Sequence, residues 1–254
     1  MLKYKLVIYP IITGGTRMEN IIIDSMQCFK ITDGVLIKYT GSDSQVVIPD
    51  GVTSIGEYAF IGNSYVERVK LPDSVKSIGV GAFRGCTRLK SIVLPYGITK
   101  IDIETFYNCT SLESIIIPGS VTEIGAEAFH CCTSLESITI PEGVTIIGLW
   151  AFSYCGHLKN VTLADSIVGI GYKAFMDCVS LESITLPKSL YSISEGVFSG
   201  CSHLSEVKIQ SNIEIIGNDA FKDCASLSSI NIPESVTEIS ETAFSGCTSL
   251  PKIK

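Results

Sequence analysis

This 254-residue sequence contains ten cysteines, whose side chains could do the widest range of chemistry. A thiolate can attack a substrate, bind a metal or form a disulfide. Eight of them recur every 23 residues, at Cys86, Cys109, Cys132, Cys155, Cys178, Cys201, Cys224 and Cys247. Thiols on successive strands would lie about 4.8 Å apart with parallel side chains. A disulfide needs converging Cβ atoms about 3.8 Å apart, and zinc needs four ligands around one point. We therefore expect buried structural thiols, which fit a reducing or anaerobic setting, and no metal or cofactor.

The histidines and carboxylates show no catalytic pattern either. His157 and His203 share one column two repeats apart, about 10 Å by strand spacing, which is too far for a common metal. We expect all three histidines, which include His130, to lie at the surface, together with the thiol of Cys131. One outward position of the repeat holds a glutamate in several units, and we interpret it as part of a solvated face. These residues are Glu113, Glu136 and Glu182. No phosphate loop, G-x-S-x-G, H-E-x-x-H or C-x-x-C motif occurs, so we expect no enzyme.

The period of the cysteines belongs to a repeat that covers most of the chain. Phenylalanine recurs in phase at Phe60, Phe83, Phe106, Phe129, Phe152, Phe175, Phe198, Phe221 and Phe244. Proline recurs in phase at Pro49, Pro72, Pro95, Pro118, Pro141, Pro187 and Pro233. A short fixed period is typical of solenoids, in which each unit buries its apolar side against its neighbours. We predict nine stacked units with a continuous phenylalanine spine, roughly 40 Å long at about 4.8 Å a unit.

One unit, residues 121–143, shows the predicted local structure. Residues 135–140 carry an L-x-x-L-x-L pattern whose alternating end predicts a short strand, and a proline ends it. A second short extended segment precedes Gly125, which suits a backbone corner with unusual dihedral angles. Residues 128–132 predict one helical or 3₁₀ turn with a buried face.

The two ends of the array differ from its middle. Residues 28–51, with an Asp33-Gly34 turn, predict a β-hairpin cap and a half-repeat. Residues 1–27 form a leader without an assigned role; its apolar run is a poor signal peptide because Pro10 interrupts it. An alternative is that translation starts at Met18.

At the other end, Leu250 begins a further strand and the sequence stops at Lys254. Three interpretations remain open. The chain is a fragment, or Lys252 and Lys254 discourage pairing at this edge, or another copy covers it.

Composition excludes two classes of partner. The net charge is −7 and the 19 basic residues are scattered, whereas nucleic-acid binding needs clustered cations. No stretch approaches the roughly 18 to 20 apolar residues of a membrane helix. We therefore expect neither a nucleic-acid partner nor a transmembrane segment.

Units such as Ala128-Phe129-x-x-Cys132-Thr-Ser-Leu135-x-Ser-Ile138-x-Ile140-Pro141 resemble the BspA-like class of bacterial leucine-rich repeats. The resemblance covers about residues 28–254. It implies a β-rich solenoid, a right-handed stack of nine leucine-rich-repeat-like units over residues 52–254. It also implies a secreted or surface-exposed adhesion protein that binds host matrix or other cells and carries no catalytic residues. A cytoplasmic location is the alternative, since the sequence shows neither an export signal nor an anchoring module.

Outward positions that depart from the repeat pattern predict where a partner binds. We expect an aromatic and aliphatic patch over repeats three to seven, centred on Trp150, because such residues anchor interfaces. Its residues are Trp150, Tyr172, Leu149, Ile146, Tyr154, Tyr107, Tyr191 and Met176. The alternative is that Trp150 and Tyr172 merely cover a gap between repeats. The functional hypotheses are accordingly a non-catalytic protein-binding scaffold or a structural protein that self-associates through its C-terminal edge.

Overall fold

The computed structural model describes residues 28–210 and 212–251, so the leader and the last three residues lie outside the described part. Within these ranges the chain forms nineteen short β-strands and no α-helix. The strands are β1 (Phe29–Thr32), β2 (Val35–Tyr39), β3 (Gln45–Val47), β4 (Ser54–Ile55), β5 (Arg68–Lys70), β6 (Ser77–Ile78), β7 (Ser91–Val93), β8 (Lys100–Ile101), β9 (Glu123–Ile124), β10 (Ser137–Ile140), β11 (Ile146–Ile147), β12 (Asn160–Leu163), β13 (Gly169–Ile170), β14 (Ser183–Leu186), β15 (Ser192–Ile193), β16 (Glu206–Ile209), β17 (Ile215–Ile216), β18 (Ser229–Ile230) and β19 (Glu238–Ile239).

Strands β1 and β2 form an antiparallel hairpin at the start of the described chain. Asp33 and Gly34 have φ angles of 49° and 77°, and two consecutive positive φ angles define the type I′ turn that joins tight hairpins. Strand β2 then pairs in parallel with β4, where Val35 lies beside Ser54. The hairpin therefore covers the first repeat.

From there on, equivalent residues of successive repeats lie side by side in two series of parallel strands. In the longer strands Thr139 pairs with Thr162, and in the shorter strands Ile147 pairs with Ile170, both 23 residues later. The longer strands form the sheets β3-β5-β7 and β10-β12-β14-β16-β18. We call their outward side the strand face. The predicted nine-unit β-solenoid is confirmed.

The strand face is interrupted between its two sheets. Residues 114–117 form no strand, and none of their backbone groups makes a backbone hydrogen bond within the described chain. The neighbouring bond from Glu113 N–H to Lys90 O is 3.2 Å long, against 2.9 Å from Lys90 N–H to Glu67 O one repeat earlier. The repeats are therefore slightly separated on this side of the solenoid.

The phenylalanine-containing segments stack as a third hydrogen-bonded column, and they are chains of turns instead of the helical or 3₁₀ turns that the spacing predicts. Alternate N–H groups point in different directions: Phe129 N–H donates to Ala151 O of the next repeat at 2.8 Å, whereas His130 N–H donates to Glu127 O at 3.1 Å. A helix cannot form this pattern, because all its N–H groups point along one axis. We call the outward side of this column the turn face.

Two positions of each of the first eight turn segments adopt left-handed backbone conformation, and in the ninth only Gly246 does. In the fourth repeat they are Glu127, with φ of 55°, and Cys131, with φ of 59°. Each is the third residue of a turn, the position at which type II turns require a positive φ. The prediction that Gly125 holds the unusual dihedral angle was wrong. A Cβ atom at Gly125 would lie 2.7 Å from the backbone nitrogen of Ile103, so this glycine permits close contact between repeats.

The core is a single apolar column inside the three hydrogen-bonded sides. Successive phenylalanine rings from Phe60 to Phe244 stack with centroids 4.9 to 5.8 Å apart and planes within 20° of parallel. Tyr39 and Phe29 of the hairpin extend the row at separations of 5.0 and 4.9 Å. The predicted spine is therefore present, and it continues into the cap.

The last described repeat leaves part of this core open. Ile239 is 40% exposed, whereas the equivalent Ile216 is fully buried. A recess of about 400 Å³ lies beside it, lined by residues that include Phe244, Cys247 and Leu250. The strand predicted from Leu250 onward falls mostly outside the described residues.

Candidate binding surface on the turn face

Large side chains at the first left-handed position lie over the following repeat. A Cβ atom at Gly81 would overlap the ring of Tyr58, and one at Gly196 would lie 2.7 Å from Cγ of Lys173. The position that holds Tyr58 and Lys173 holds Trp150 in the fifth repeat. This backbone conformation therefore lays the Trp150 side chain along the surface.

A row of stacked rings crosses the turn face next to this position. The Arg84 guanidinium, which also pairs with Glu104, lies 4.1 Å above the Tyr107 ring. Tyr107 stacks on His130 with centroids 4.8 Å apart and planes at 12°, and the edge of His130 meets Tyr154 at 5.4 Å. His130, which we expected at the surface, is half-buried between these two tyrosines.

The same region contains a recess of about 200 Å³, which we call the Trp150 pocket. It is lined by His130, Trp150, Ser153, Tyr154, Lys173 and Met176. Tyr172 stands at its edge, because its ring centroid lies 6.0 Å from that of Trp150 and 4.7 Å from the Lys173 ammonium. We call these side chains together with Tyr107 the turn-face patch.

Hydrogen bonds inside the pocket define the roles of Ser153 and His130. The buried Ser153 hydroxyl lies 3.0 Å from Trp150 O and 2.6 Å from Nδ1 of His130. A hydroxyl has one proton and a carbonyl can only accept, so both bonds form when Ser153 donates to Trp150 O and Nδ1–H of His130 donates to Ser153. Burial, and then the charge of Arg84, lower the pKa of His130. A neutral histidine that donates to the serine does not activate it as a nucleophile.

One polar group of the patch is unsatisfied. Within the described residues, Nε1 of Trp150 is buried and has no hydrogen-bond acceptor. A buried donor without a partner costs about 1–3 kcal/mol, so native structures contain few of them. The indole N–H is therefore a group that a bound partner could satisfy.

The structure brings together most of the side chains that the sequence singled out. Trp150, Tyr154 and Met176 line the pocket, Tyr172 borders it, Tyr107 reaches it through His130, and Leu149 lies exposed beside Trp150. Two others lie on the side formed by the shorter strands: Ile146 in β11, and Tyr191 before β15, where its hydroxyl donates to Glu214.

Several residues were missed by the reasoning from sequence. His130, Ser153 and Lys173 line the pocket, although their types are common on surfaces. The available signal was positional, since Lys173 occupies the same position of its repeat as Trp150, and His130 that of Tyr107.

A second group of exposed apolar side chains lies on and beside the strand face. Its most exposed members are Val93, Tyr96 and Ile116, which are 75%, 79% and 84% exposed. They line neither the recess of the last repeat nor the Trp150 pocket. The turn-face patch is therefore the more developed candidate site.

The cysteine column is part of the core. Each of its eight thiols lies within hydrogen-bond distance of a phenylalanine carbonyl 26 residues earlier, as Cys86 does with Phe60 O at 3.2 Å. Burial raises the pKa of Cys86 to about 12 and that of Cys155 further. The column thiols from Cys86 to Cys224 all have a raised pKa, so they are protonated at neutral pH and serve as donors. In Cys247, at the open end, a hydrogen bond from the Cys224 thiol lowers the pKa.

Two further observations concern residues 28–210 and 212–251. No three histidine, cysteine, aspartate or glutamate side chains lie close enough there to hold a metal ion. No helix in that part of the chain has the length and apolar character needed to cross a membrane.

Comparisons with known proteins agree with this architecture. The chain matches the BspA type leucine rich repeat region in six copies, over residues 30–155 and 122–251. A leucine-rich repeat protein from Bacteroides ovatus is 33% identical with a TM-score of 0.79; the match covers 97% of this chain and 64% of that one. This chain thus spans less than two thirds of that relative's length. No functionally curated protein matches the chain.

Two other solved structures are similar. A leucine rich repeat protein of T. pallidum is 32% identical with a TM-score of 0.58, over 79% of this chain and 88% of that one. A leucine rich cell surface protein from Faecalibacterium prausnitzii is 28% identical with a TM-score of 0.54, over 85% of this chain and 82% of that one. From its repeat, its stacked phenylalanines and these matches, the chain belongs to the family of BspA-type leucine-rich repeat proteins.

Proposed function

We propose that this protein is a non-catalytic adhesion scaffold that binds a protein ligand through its turn-face patch. The family implies a protein-interaction scaffold. The observation that carries the proposal is the Trp150 pocket: a recess among aromatic side chains, with an unsatisfied indole N–H, on a surface that is otherwise a regular repeat. Aromatic residues around a recess are typical of interface hot spots.

A non-catalytic role is supported by the direction of the bond between His130 and Ser153. Catalysis by a serine requires a base that accepts its proton, whereas here the serine donates to Trp150 O. The column thiols from Cys86 to Cys224 are buried and have a raised pKa, so they lack the exposed, acidic character of catalytic cysteines.

The proposed ligand is a host matrix protein or a protein on another cell surface. The support is the family resemblance together with the Faecalibacterium relative, which is described as a cell surface protein. Location at the cell surface or after secretion is part of this proposal.

The proposal is tested by binding of the purified chain to immobilised matrix proteins and to whole cells. We expect measurable binding to at least one of them, and Trp150→Ala with Tyr172→Ala should remove it while circular dichroism and melting temperature stay near those of the parent. Tyr58→Ala is the matched control, because Tyr58 occupies the same left-handed position outside the patch. If a ligand binds the double variant with unchanged affinity, the patch is not its site.

Self-association is the second candidate function. Its support is the open last repeat, where Ile239 is exposed beside the recess at Phe244 and Leu250. Light scattering from about 1 to 200 μM, the range in which weak interfaces associate, tests it. A mass that rises with concentration and falls back in Ile239→Lys supports self-association, whereas a monomer throughout removes it.

A further inference from the structure

The Trp150 pocket contains one N–H donor and one cation that lack matching acceptors. The indole N–H of Trp150 has no partner, and Lys173 forms no ion pair with any carboxylate of the described chain. Its ammonium instead lies over the ring of Tyr172, 4.7 Å from the centroid. Nδ1–H of His130 is already used by Ser153.

Most of the neighbouring carboxylates have another partner, whereas Glu195 forms no ion pair in the described chain; Tyr172, and then the charges of Glu195 and Asp219, raise the pKa of Lys173. Glu104 pairs with Arg84. Asp177 lies beside Tyr154, and burial together with this carboxylate raises the pKa of the tyrosine hydroxyl. Asp219 pairs with Lys222 at 3.6 Å. The wall of the pocket therefore contains one ammonium group without an ion pair and one buried indole N–H without an acceptor.

We propose that the Trp150 pocket binds an aspartate or glutamate side chain of the protein partner. Its carboxylate would accept a charge-assisted hydrogen bond from Lys173 Nζ and a second one from Trp150 Nε1. This inference rests on the proposed function, because it names the chemical class of the residue that the partner inserts.

Both the volume and the chemistry of the pocket favour such a group. The recess of about 200 Å³ is several times the share of one water molecule, about 30 Å³, so it admits a short side chain. A carboxylate is the only protein side chain that accepts at two oxygens and also neutralises Lys173. A cationic side chain would be repelled by Lys173, and an aliphatic one would leave the indole N–H unpaired.

Access to the indole nitrogen requires a small rearrangement. Nε1 is closed to solvent, so side chains at the pocket wall must move when the carboxylate enters. Lys173 has a long flexible chain that rests on Gly196 and on the Tyr172 ring. Movement of its ammonium from the ring to the carboxylate replaces a cation–π contact by an ion pair.

The chain contains a single tryptophan, so one indole signal reports on this site. We would label the full chain with ¹⁵N and follow the indole N–H peak during titration with N-acetyl-glutamate N-methylamide at constant ionic strength. The neutral isostere N-acetyl-glutamine N-methylamide is the matched probe. We expect a saturable downfield shift with the carboxylate alone, at a dissociation constant of about 1–20 mM, as suits a single side chain.

Two variants complete the test. Lys173→Gln should weaken the carboxylate affinity by about fivefold or more, whereas Lys208→Gln, which removes an exposed lysine of the strand face, should leave it unchanged. An indole peak that stays in place up to 100 mM probe, or that moves equally with the glutamine isostere, overturns the inference. If that happens while Trp150→Ala still abolishes ligand binding, the proposed function stands and only the acidic anchor is wrong. Conversely, the carboxylate probe can shift the indole peak of the parent while the protein ligand still binds the Trp150→Ala variant. That combination contradicts the proposed function and leaves the carboxylate site in the pocket standing.

Discussion

The thiol sulfur of Cys155 lies 3.2 Å from the backbone carbonyl oxygen of Phe129, 26 residues earlier in the chain. The same contact recurs for each cysteine of the column. In the first repeat Asn63 occupies the position of the cysteine, and its Nδ2–H donates to Gly41 O at 2.9 Å. The carbonyl of each turn segment thus receives a donor from the next repeat. A cysteine suits this position because it is small and apolar yet can donate weakly.

This arrangement predicts how the thiols react. In native protein at pH 8, Ellman's reagent should modify the half-buried Cys28 and Cys131 within minutes, and also Cys247, which lines the open recess of the last repeat and whose pKa is lowered by the Cys224 thiol. Burial keeps the other column thiols protonated and covered. All ten should react in denaturant. Cys131→Ser should lower the native count from three to two. Fast modification of Cys155 in folded protein would contradict the assigned role of the column.

Close contact between repeats predicts opposite effects for two neighbouring glycines. A Cβ atom at Gly148 would lie 2.5 Å from the nitrogen of Ala126, so Gly148→Ala should destabilise the fold by about 1–3 kcal/mol. Gly169 has open space around it and no positive φ, so Gly169→Ala should be neutral or stabilise by about 0.4–1 kcal/mol. Urea unfolding measures both. Equal effects would show that the repeats are not in contact at this corner.

The phenylalanine spine predicts a difference between its middle and its end. Phe152→Ala should destabilise the fold by about 3–5 kcal/mol, because the buried ring is stacked on both sides. Phe244→Ala should cost clearly less, since this ring is partly exposed and stacks on Phe221 alone in the described chain. The comparison uses chemical unfolding of each variant. A larger loss for Phe244 would contradict the stacking order.

The interruption of the strand face predicts local hydrogen exchange. The amides of Ile115 and Ile117 make no backbone hydrogen bond, so they should exchange much faster than those of Ile138 and Val161 in the paired strands. Exchange followed by mass spectrometry or NMR gives the rates. Equal protection at the four positions would mean that the ladder is continuous.

His130 predicts a pH dependence of stability. Its pKa is lowered in the folded protein by burial and by Arg84, while the unfolded value is about 6.5. As the pH falls through about 6.5 the unfolded chain binds more protons, so stability should decrease between about pH 7 and 5. The urea midpoint should fall less over this interval in His130→Asn than in the parent. Parallel pH profiles would show that His130 is not responsible.

The candidate site was only partly predictable. Trp150, Tyr154, Tyr172 and Met176 stand out in the sequence because they are larger than their counterparts in other repeats, and the structure places them around one recess. Whether they bind a partner stays a prediction. His130 and Lys173 have polar side chains that fit a solvated surface equally well, so their stacking on tyrosines was not visible from residue type.

The sequence by itself determined the repeat length, the number of units, the phenylalanine and cysteine columns and the hairpin at Asp33-Gly34. The sequence determines these features because, in a stack of repeats, each side chain packs against the equivalent side chain 23 residues away. The repeat period is then enough to identify the core residues. Only the tertiary structure decided the left-handed conformation at Glu127 and Trp150, the separation at residues 114–117 and the recess beside Ser153. These features depend on the sign of a few φ angles and on small offsets between neighbouring repeats, which a pattern of apolar residues leaves open.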